Sequence, residues 1–341
     1  MLRSRLPRIR TLAYLLCLAL LVYVVVYMPT SYTIERPGSA DDVKPMVRVA
    51  GADTEELGTF MMTTVSVTYA NLALLGMSLF DDNADIGERN KDQDDDEYRI
   101  TQQYYMNSSQ SSAIAAAYRE AGVAFDVETE YVFITTVPDQ DPQQKEFVAG
   151  DKITEVDGQA VATLEDLRKL LEGRSAGDAV DVSLERGGKT VEQRVKLVDI
   201  PNGDGTTRSG FGVSTGEVLR IEPDNPADEV EFTQTRVGGP SAGLMFTLEI
   251  YNQLTPGDLT RGYRIAGTGT IKSDGTVGEI GGVQHKIVAA ERKGAEVFFV
   301  PEGNYDAAKK KLDETGGQMR LVPVKTLEDA LNDIQTLPDK R

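Results

Sequence analysis

The feature that most constrains this chain is an uncharged apolar run close to its N-terminus. Residues 12–28 read LAYLLCLALLVYVVVYM, 17 positions without a charged side chain. A helix rises about 1.5 Å per residue, so this run reaches across roughly 26 Å of hydrocarbon. Four arginines fall within residues 1–11, which predicts that this basic tail is cytoplasmic. We therefore expect a single-pass anchor in membrane lipid at 12–28 and an extracytoplasmic remainder.

A cleaved signal peptide is the alternative interpretation of this run. Its apolar part would be long, and the PTSY that follows at 29–32 offers no small-x-small cleavage pattern. An uncleaved anchor in the cell membrane is therefore favoured.

The charged and the rare residues exclude several classes of function. Asp and Glu number 54 against 36 Lys and Arg, a net charge of −18, and so acidic a chain repels nucleic-acid backbones. Cys17 is the only cysteine and His285 the only histidine, which excludes an intrachain disulfide and a multi-histidine metal site within one chain. The string GGKT at 187–190 lacks the earlier glycine of a P-loop. We expect no nucleic-acid partner, no metal and no cofactor.

Residues 130–198 predict a small β-rich domain with one helix. A strand at 131–137 is followed by GDKI and VDG at 150–158, the latter typical of a hairpin turn. Thr163 and Asp166 then form a capping box at the start of a leucine-rich helix. A purely structural β-domain is one interpretation of this pattern.

The strings VAGDKITEVDGQAV and TLEDLRKLL in this stretch resemble a PDZ domain of the bacterial type. The resemblance implies that an extended peptide binds by adding as a strand beside residues 131–136. The leucine-rich helix forms the other wall of the groove, whose expected residues are Tyr131, Phe133 and Leu167.

The residues that point to chemistry lie between 235 and 293. GGPSAG runs directly into the apolar-periodic LMFTLEIYNQL, which places Ser241 at the start of a helix. Main-chain N–H groups at a helix N-terminus can bind the oxyanion of a tetrahedral intermediate, and we assign this contact to Gly239 and Ala242. Lys286, at the end of GGVQHK, can act as the base if burial lowers its pKa from about 10.4 by roughly three units. Thr268 in AGTGTI is the candidate to orient its amine.

Four strings in order, GGPSAG, GTGTI, VGEIGGVQHK and KGAEVFFVPEGN, resemble the proteolytic domain of Lon-type peptidases over about residues 230–335. The resemblance implies that Ser241 is the nucleophile and Lys286 the general base, and that Thr268 hydrogen-bonds this dyad. Gly238 and Thr270 stand where Lon proteins usually carry acidic residues, which leaves the details of substrate positioning open.

With its anchor, PDZ-like stretch and Lon-type stretch, the chain resembles the membrane-anchored YlbL-like proteins of Gram-positive bacteria. The P-loop ATPase of Lon itself is missing, and the family analogy implies a homohexamer. A weaker resemblance extends upstream, where residues 58–67 and 106–120 look like the first strand and helix of the Lon proteolytic fold. Whether the PDZ domain precedes the proteolytic domain or is inserted in it stays open.

Two other features carry simpler interpretations. The acidic residues between 81 and 97 predict a solvated loop, since they lack the spacing of an EF-hand; a calcium site is the alternative. Successive helical residues point about 100° apart, so we expect His285 to be a polar surface residue rather than a partner of Ser241.

These observations predict an α+β chain with one transmembrane helix, a PDZ-like β-domain and a Lon-type proteolytic α/β domain. The expected function is that of a membrane-anchored, ATP-independent serine endopeptidase that cleaves membrane-tethered or unfolded extracytoplasmic proteins selected by the PDZ domain. The alternative is a PDZ-based membrane scaffold whose protease-like domain is inactive or processes only itself. The expected segments are a basic tail (1–11), an anchor (12–28), a juxtamembrane α/β region (40–124), a PDZ domain (126–199) and a proteolytic domain (205–337).

Overall fold

The computed structural model describes residues 6–52, 57–89, 95–138, 146–202, 205–233 and 237–340. Parts of the expected basic tail (1–5) and of the expected acidic loop (90–94) lie outside the described residues. The helices are α1 Leu6–Tyr27, α2 Leu72–Ser78, α3 Asp95–Ala121, α4 Leu164–Leu171, α5 Gly243–Leu254, α6 Val283–Lys293, α7 Tyr305–Thr315 and α8 Leu327–Thr336. The strands are β1 Pro29–Asp42, β2 Val47–Val49, β3 Thr59–Asn71, β4 Asp85–Glu88, β5 Phe125–Thr136, β6 Lys152–Val156, β7 Gln159–Ala160, β8 Ala179–Arg186, β9 Lys189–Lys196, β10 Val198–Pro201, β11 Thr207–Gly210, β12 Ser214–Pro223, β13 Val230–Phe232, β14 Arg264–Gly267, β15 Thr270–Ile271, β16 Val277–Gly278, β17 Val297–Pro301 and β18 Arg320–Val324.

The helix α1 contains the apolar run. Its part from Arg10 to Tyr27 is, among the residues that the structure describes, the one helix long and apolar enough to cross a membrane, and none of this part is buried. Met28 alone separates the end of α1 from the start of β1 at Pro29. The sheet that contains β1 therefore begins directly at the end of this helix.

The first six-stranded sheet, here called the mixed sheet, has the strand order β18-β17-β14-β3-β1-β4. The first four strands run parallel to their neighbours, whereas β1 and β4 pair antiparallel. Successive side chains of β3 alternate between two cores: Phe60 and Met62 pack with α5 and α8, and Met61 packs with α6 and α7. Helices thus cover both faces of the sheet, as its continuous apolar strands require.

The second six-stranded sheet, here called the antiparallel sheet, has the strand order β12-β5-β6-β8-β9, with β7 paired to β6, and packs its inner face against α4. The capping box at the start of α4 is confirmed: Thr163 Oγ1 accepts the N–H of Asp166, and a carboxylate oxygen of Asp166 accepts the N–H of Thr163. Leu167 and Leu171 lie on the buried face of this helix. The amphipathic pattern of the leucine-rich helix is therefore used for packing, as its spacing predicts.

Along the chain, the antiparallel sheet interrupts the mixed one. β1 and β3 precede it and β14, β17 and β18 follow it, yet all five strands share one sheet. β12 lies within the range 205–337 expected for the proteolytic domain, but it pairs along its length with β5. The helix α3, longer than the alanine-rich stretch expected at 108–120, packs against both α5 and β12. It therefore connects the two sheets, and the α+β architecture expected from the sequence is confirmed.

Candidate active site

The loop before α5 carries Ser241 and is held by α3. Gly239 adopts φ +88°, a left-handed conformation that side chains other than glycine rarely take. Its main-chain N–H donates to the carbonyl of Gln102 at 2.9 Å. Ser109 Oγ donates to the carbonyl of Pro240 at 3.0 Å. Two residues of one helix thus fix the backbone on the N-terminal side of Ser241.

Lys286 reaches Ser241 from the first turn of α6. Its Nζ lies 2.7 Å from Ser241 Oγ and 2.8 Å from the carbonyl oxygen of Thr63 on β3. The lysine is 3% exposed, and this burial lowers its pKa from 10.5 to about 7. No salt bridge within the described residues offsets the burial, because the two polar partners of the amine are uncharged. A substantial fraction of this amine is therefore neutral near pH 7.

The turn before α6 brings the lysine to this position. Gly282 caps α6 in a left-handed conformation with φ +66°. A Cβ atom at Gly282 would lie 2.9 Å from a methyl group of Val65, so the turn packs directly on β3. The close approach of α6 to β3 gives the Lys286 side chain access to the Thr63 carbonyl.

Thr268 contacts the serine rather than the lysine. Its hydroxyl donates to the main-chain carbonyl of Ser241 at 3.0 Å, and the N–H of Gly269 donates to the same carbonyl at 2.9 Å. The expectation that the Thr268 hydroxyl orients the Lys286 amine is therefore corrected: the Thr63 carbonyl occupies that position. Because Thr268 is fully buried, its hydroxyl holds the backbone of Ser241 in place.

The expected pair of oxyanion donors also needs a correction. The N–H of Gly239 is already bonded to Gln102 and is not free for a substrate. Within the part of the chain that the structure describes, no hydrogen bond occupies the main-chain N–H of Ser241 or of Ala242. Both precede the first turn of α5, where the positive end of the helix dipole lies. The N–H groups of Ser241 and Ala242, rather than those of Gly239 and Ala242, are therefore the unoccupied donors beside the serine, and their role toward an oxyanion stays a prediction.

A cleft of about 690 Å³ opens in front of Ser241 and Lys286. One wall is β3, which pairs with β14 from Thr59 to Met62 and with β1 as far as Asn71. Beyond Met62, the edge of β3 that faces away from β1 has no partner strand among the described residues. The other wall consists of α3 and the serine loop. A cleft with an open strand edge has the shape needed to bind an extended peptide.

His285 is buried, contrary to the expectation of a surface residue. It is 1% exposed, and its Nε2 lies 3.1 Å from a carboxylate oxygen of Asp85, without the alignment of a hydrogen bond. Asp85 begins β4, at the outer edge of the mixed sheet. The sequence gives no sign that α6 packs against β1 and β3, far earlier in the chain, so this burial could not be anticipated. As expected, the imidazole does not contact Ser241.

The groove of the antiparallel sheet lies between α4 and β12 rather than beside β5. Around Phe133, β5 pairs with β12 on one side and with β6 on the other, so this segment has no open edge. The Phe133 ring instead packs edge-on against Tyr104 of α3, with Tyr131 beside it. Tyr131 and Phe133 therefore do not line the cleft between α4 and β12, whereas Leu167 does, and peptide binding in this cleft stays a prediction.

The wall opposite α4 is formed by residues 207–215, and the groove between them has a volume of about 1080 Å³. The outer edge of β12 has no partner strand among the described ranges. Residues 210–213 read GFGV, and sequence reasoning missed this turn although glycines at alternate positions before a strand are a recognisable signal.

Comparison with known proteins identifies the two regions. Residues 121–197 match the PDZ domain family, and residues 233–336 match the Lon protease (S16) C-terminal proteolytic domain. Lon protease 2 of Bacillus subtilis is 35% identical over 104 residues, which are 30% of this chain and 17% of that protein. The Lon protease of Campylobacter concisus is 35% identical over 94 residues, 27% of this chain and 11% of that protein. The chain thus matches less than a fifth of the length of these relatives.

Among solved structures, the PDZ domain of an SdrC-like protein from Listeria monocytogenes is 28% identical, covering 25% of this chain and 87% of that one, with a TM-score of 0.23. The PDZ domain of an SdrC-like protein from Listeria innocua is 27% identical, covering 25% of this chain and 93% of that one, again with a TM-score of 0.23. The family matches confirm the combination expected from the sequence. The chain contains a PDZ domain together with a Lon-type proteolytic domain, the domain that makes Lon a serine peptidase.

Proposed function

We propose that this protein is a membrane-anchored serine endopeptidase with a Ser241–Lys286 dyad. The observation that carries the proposal is the 2.7 Å separation of Lys286 Nζ and Ser241 Oγ at a lysine whose pKa burial lowers to about 7. A neutral amine next to a hydroxyl at a helix N-terminus is the arrangement that acyl transfer needs. The Lon-type domain match over residues 233–336 supports the same reaction class.

The reaction runs through an acyl-enzyme. Neutral Lys286 takes the hydroxyl proton of Ser241 as Oγ bonds to the carbonyl carbon of the scissile peptide. The N–H groups of Ser241 and Ala242 donate hydrogen bonds to the carbonyl oxygen as negative charge develops on it. Lys286 then gives its proton to the leaving amine, and an ester to Ser241 remains. Water attacks the ester while Lys286 takes and returns one proton, which releases the acid and restores the serine.

Two open strand edges select the substrate. The scissile segment lies along the free edge of β3 beyond Met62, in the cleft that contains Ser241. A second segment of the same substrate adds to β12, in the groove that Leu167 lines. The PDZ groove therefore raises the local concentration of substrate and does no chemistry of its own.

The apolar helix and its basic flank support a single-pass anchor with a cytoplasmic N-terminus and an extracytoplasmic catalytic domain. The sequence contains no P-loop, so we propose that cleavage is independent of ATP. Without an unfolding motor, folded substrates of about 5–15 kcal/mol stability stay closed to the cleft. Membrane-tethered segments and unfolded extracytoplasmic chains are the expected substrates.

The test uses the purified full chain and a quenched fluorogenic peptide without structure. Ser241→Ala and Lys286→Met should each reduce the rate by about 100-fold or more, because each removes one half of the dyad. The matched control is Lys293→Met, the same substitution at an exposed lysine of the same helix, and it should keep the wild-type rate. If all four proteins fail to cleave the peptide but bind it equally well, the scaffold alternative is favoured.

A further inference from the structure

An exposed apolar segment lies beside the end of the membrane-spanning helix. Residues 72–80, here called the apolar segment, comprise α2 and the turn after it. Leu72 is 49% exposed, Met77 64%, Leu79 74% and Phe80 90%. A contiguous group of large apolar side chains with this exposure marks a contact surface.

The structure brings this segment to the level of the helix end. Asn71 Nδ2 donates to the carbonyl of Val26 in the last turn of α1 at 2.6 Å, and Asn71 Oδ1 accepts the N–H of Leu74 to cap α2. α2 packs against α1. Because one residue alone separates α1 from the sheet, this end of the molecule cannot move away from the point where the helix leaves the bilayer.

The chemistry of the segment fits a lipid surface. No charged residue occurs between Leu57 and Phe80, and the first one after them, Asp81, is paired with Arg36 at 3.0 Å. Tyr32 and Tyr69 are each 42% exposed at the same end of the sheet, where amphipathic rings favour the membrane interface. An apolar face beside an interfacial aromatic pair is typical of segments that lie in the headgroup region.

We propose that residues 72–80 lie in the membrane interface as a second membrane contact, an inference that rests on the anchor of the proposed function. α1 alone would leave the catalytic domain free to rotate about the helix axis. Two contacts fix its orientation. Thr63, whose carbonyl binds Lys286, is eight residues from Asn71 along β3, which is about 26 Å of extended chain. The catalytic dyad is thereby held at a defined reach from the membrane, and this reach sets which bonds of a membrane-tethered substrate it can cleave.

The experiment measures whether the segment is in contact with lipid in the full chain. Cys17 is replaced by Ala, and a single cysteine is introduced by Leu79→Cys or by Leu57→Cys. Leu57 is 67% exposed, close to the 74% of Leu79, but it lies at the other end of β3. Met77→Cys is a second variant in the segment. The proteins are reconstituted into vesicles of phosphatidylcholine and phosphatidylglycerol with the catalytic domain outside.

A membrane-impermeant maleimide should label Leu79→Cys and Met77→Cys at least about tenfold more slowly than Leu57→Cys. In urea, all three variants should be labelled at the same rate. A bimane group at position 79, but not at position 57, should be quenched by nitroxide-labelled lipids. Equal labelling without quenching, in a chain that resists alkaline extraction, overturns the second contact and leaves the anchor intact. Release of the chain by alkaline extraction overturns the anchor itself. Slow labelling without lipid quenching, accompanied by cross-linking between copies at position 79, assigns the segment to a second copy and also overturns the inference.

Discussion

The burial of Lys286 makes the pH dependence of cleavage a quantitative consequence of the structure. Its pKa falls from 10.5 to about 7 because the amine loses its hydration and gains no opposite charge. This difference corresponds to about 5 kcal/mol between the charged and neutral forms. An amine of this pKa is about one-tenth neutral at pH 6 and about nine-tenths neutral at pH 8, whereas an exposed lysine is neutral in about one molecule in three thousand at pH 7.

Only the neutral amine can accept the Ser241 proton, so we expect kcat/KM for an unstructured peptide to rise about tenfold from pH 6 to pH 8 and then to level off. Initial rates with a fluorogenic peptide at constant ionic strength measure this profile, with circular dichroism at each pH as the control for folding. A flat profile between pH 6 and 8, or one that still climbs steeply above pH 9, refutes the assignment of Lys286 as a base with a lowered pKa.

The same burial predicts a stability effect. The pKa of Lys286 is lower in the folded chain than in the unfolded chain. Between about pH 7 and 10.5 the unfolded chain therefore binds a proton on this amine that the folded chain does not. The contribution of Lys286 to the free energy of unfolding consequently rises with pH across that window. Lys286→Met should therefore stabilise the protein at pH 7, by about 1–3 kcal/mol, and calorimetry that finds no increase in Tm contradicts this. A peptide in the PDZ groove should slow hydrogen exchange at residues 214–218 and leave Phe133 unchanged, since its strand is already paired there; slowing at Phe133 alone would return the groove to β5. A substrate tethered to the same membrane should resist cleavage when about four residues separate its anchor from the scissile bond, and should be cleaved when about twelve do. The reason is that the extended chain from Asn71 to Thr63 spans about 26 Å. Equal cleavage rates for the two spacers in a vesicle assay would count against a fixed distance between dyad and membrane.

The parts of the site that the sequence predicts are those encoded in short strings. GGPSAG before an apolar-periodic segment predicts a serine at a helix start, and Ser241 does precede α5. The capping box at Thr163 is equally local, and it is present. In each case the pattern and the structure that it produces lie within about one turn of helix or strand.

The parts that it does not predict depend on contacts between distant segments. The N–H of Gly239 donates to the carbonyl of Gln102 and is not free. Gln102 belongs to α3, which precedes the PDZ domain in sequence, whereas Gly239 follows it. His285 is buried because α6 packs against β1 and β3, which lie far earlier in the chain, and the groove lies beside β12 rather than β5 because β12 returns to pair with β5. Strand pairing between remote segments leaves no periodic signal, since each strand alone shows only its own alternation of side chains.

The central claim is that Ser241 is a nucleophile activated by Lys286, and covalent labelling tests it most directly. The full chain is treated with a biotin-tagged aryl phosphonate and digested, and the modified peptide is identified by mass spectrometry. We predict one adduct, on Ser241, and none in Ser241→Ala. Its rate of formation should rise with pH with a midpoint near 7. This rate should fall about 100-fold or more in Lys286→Met and stay unchanged in Lys293→Met. An adduct on another residue, or labelling of Ser241 that does not depend on Lys286, would contradict the account.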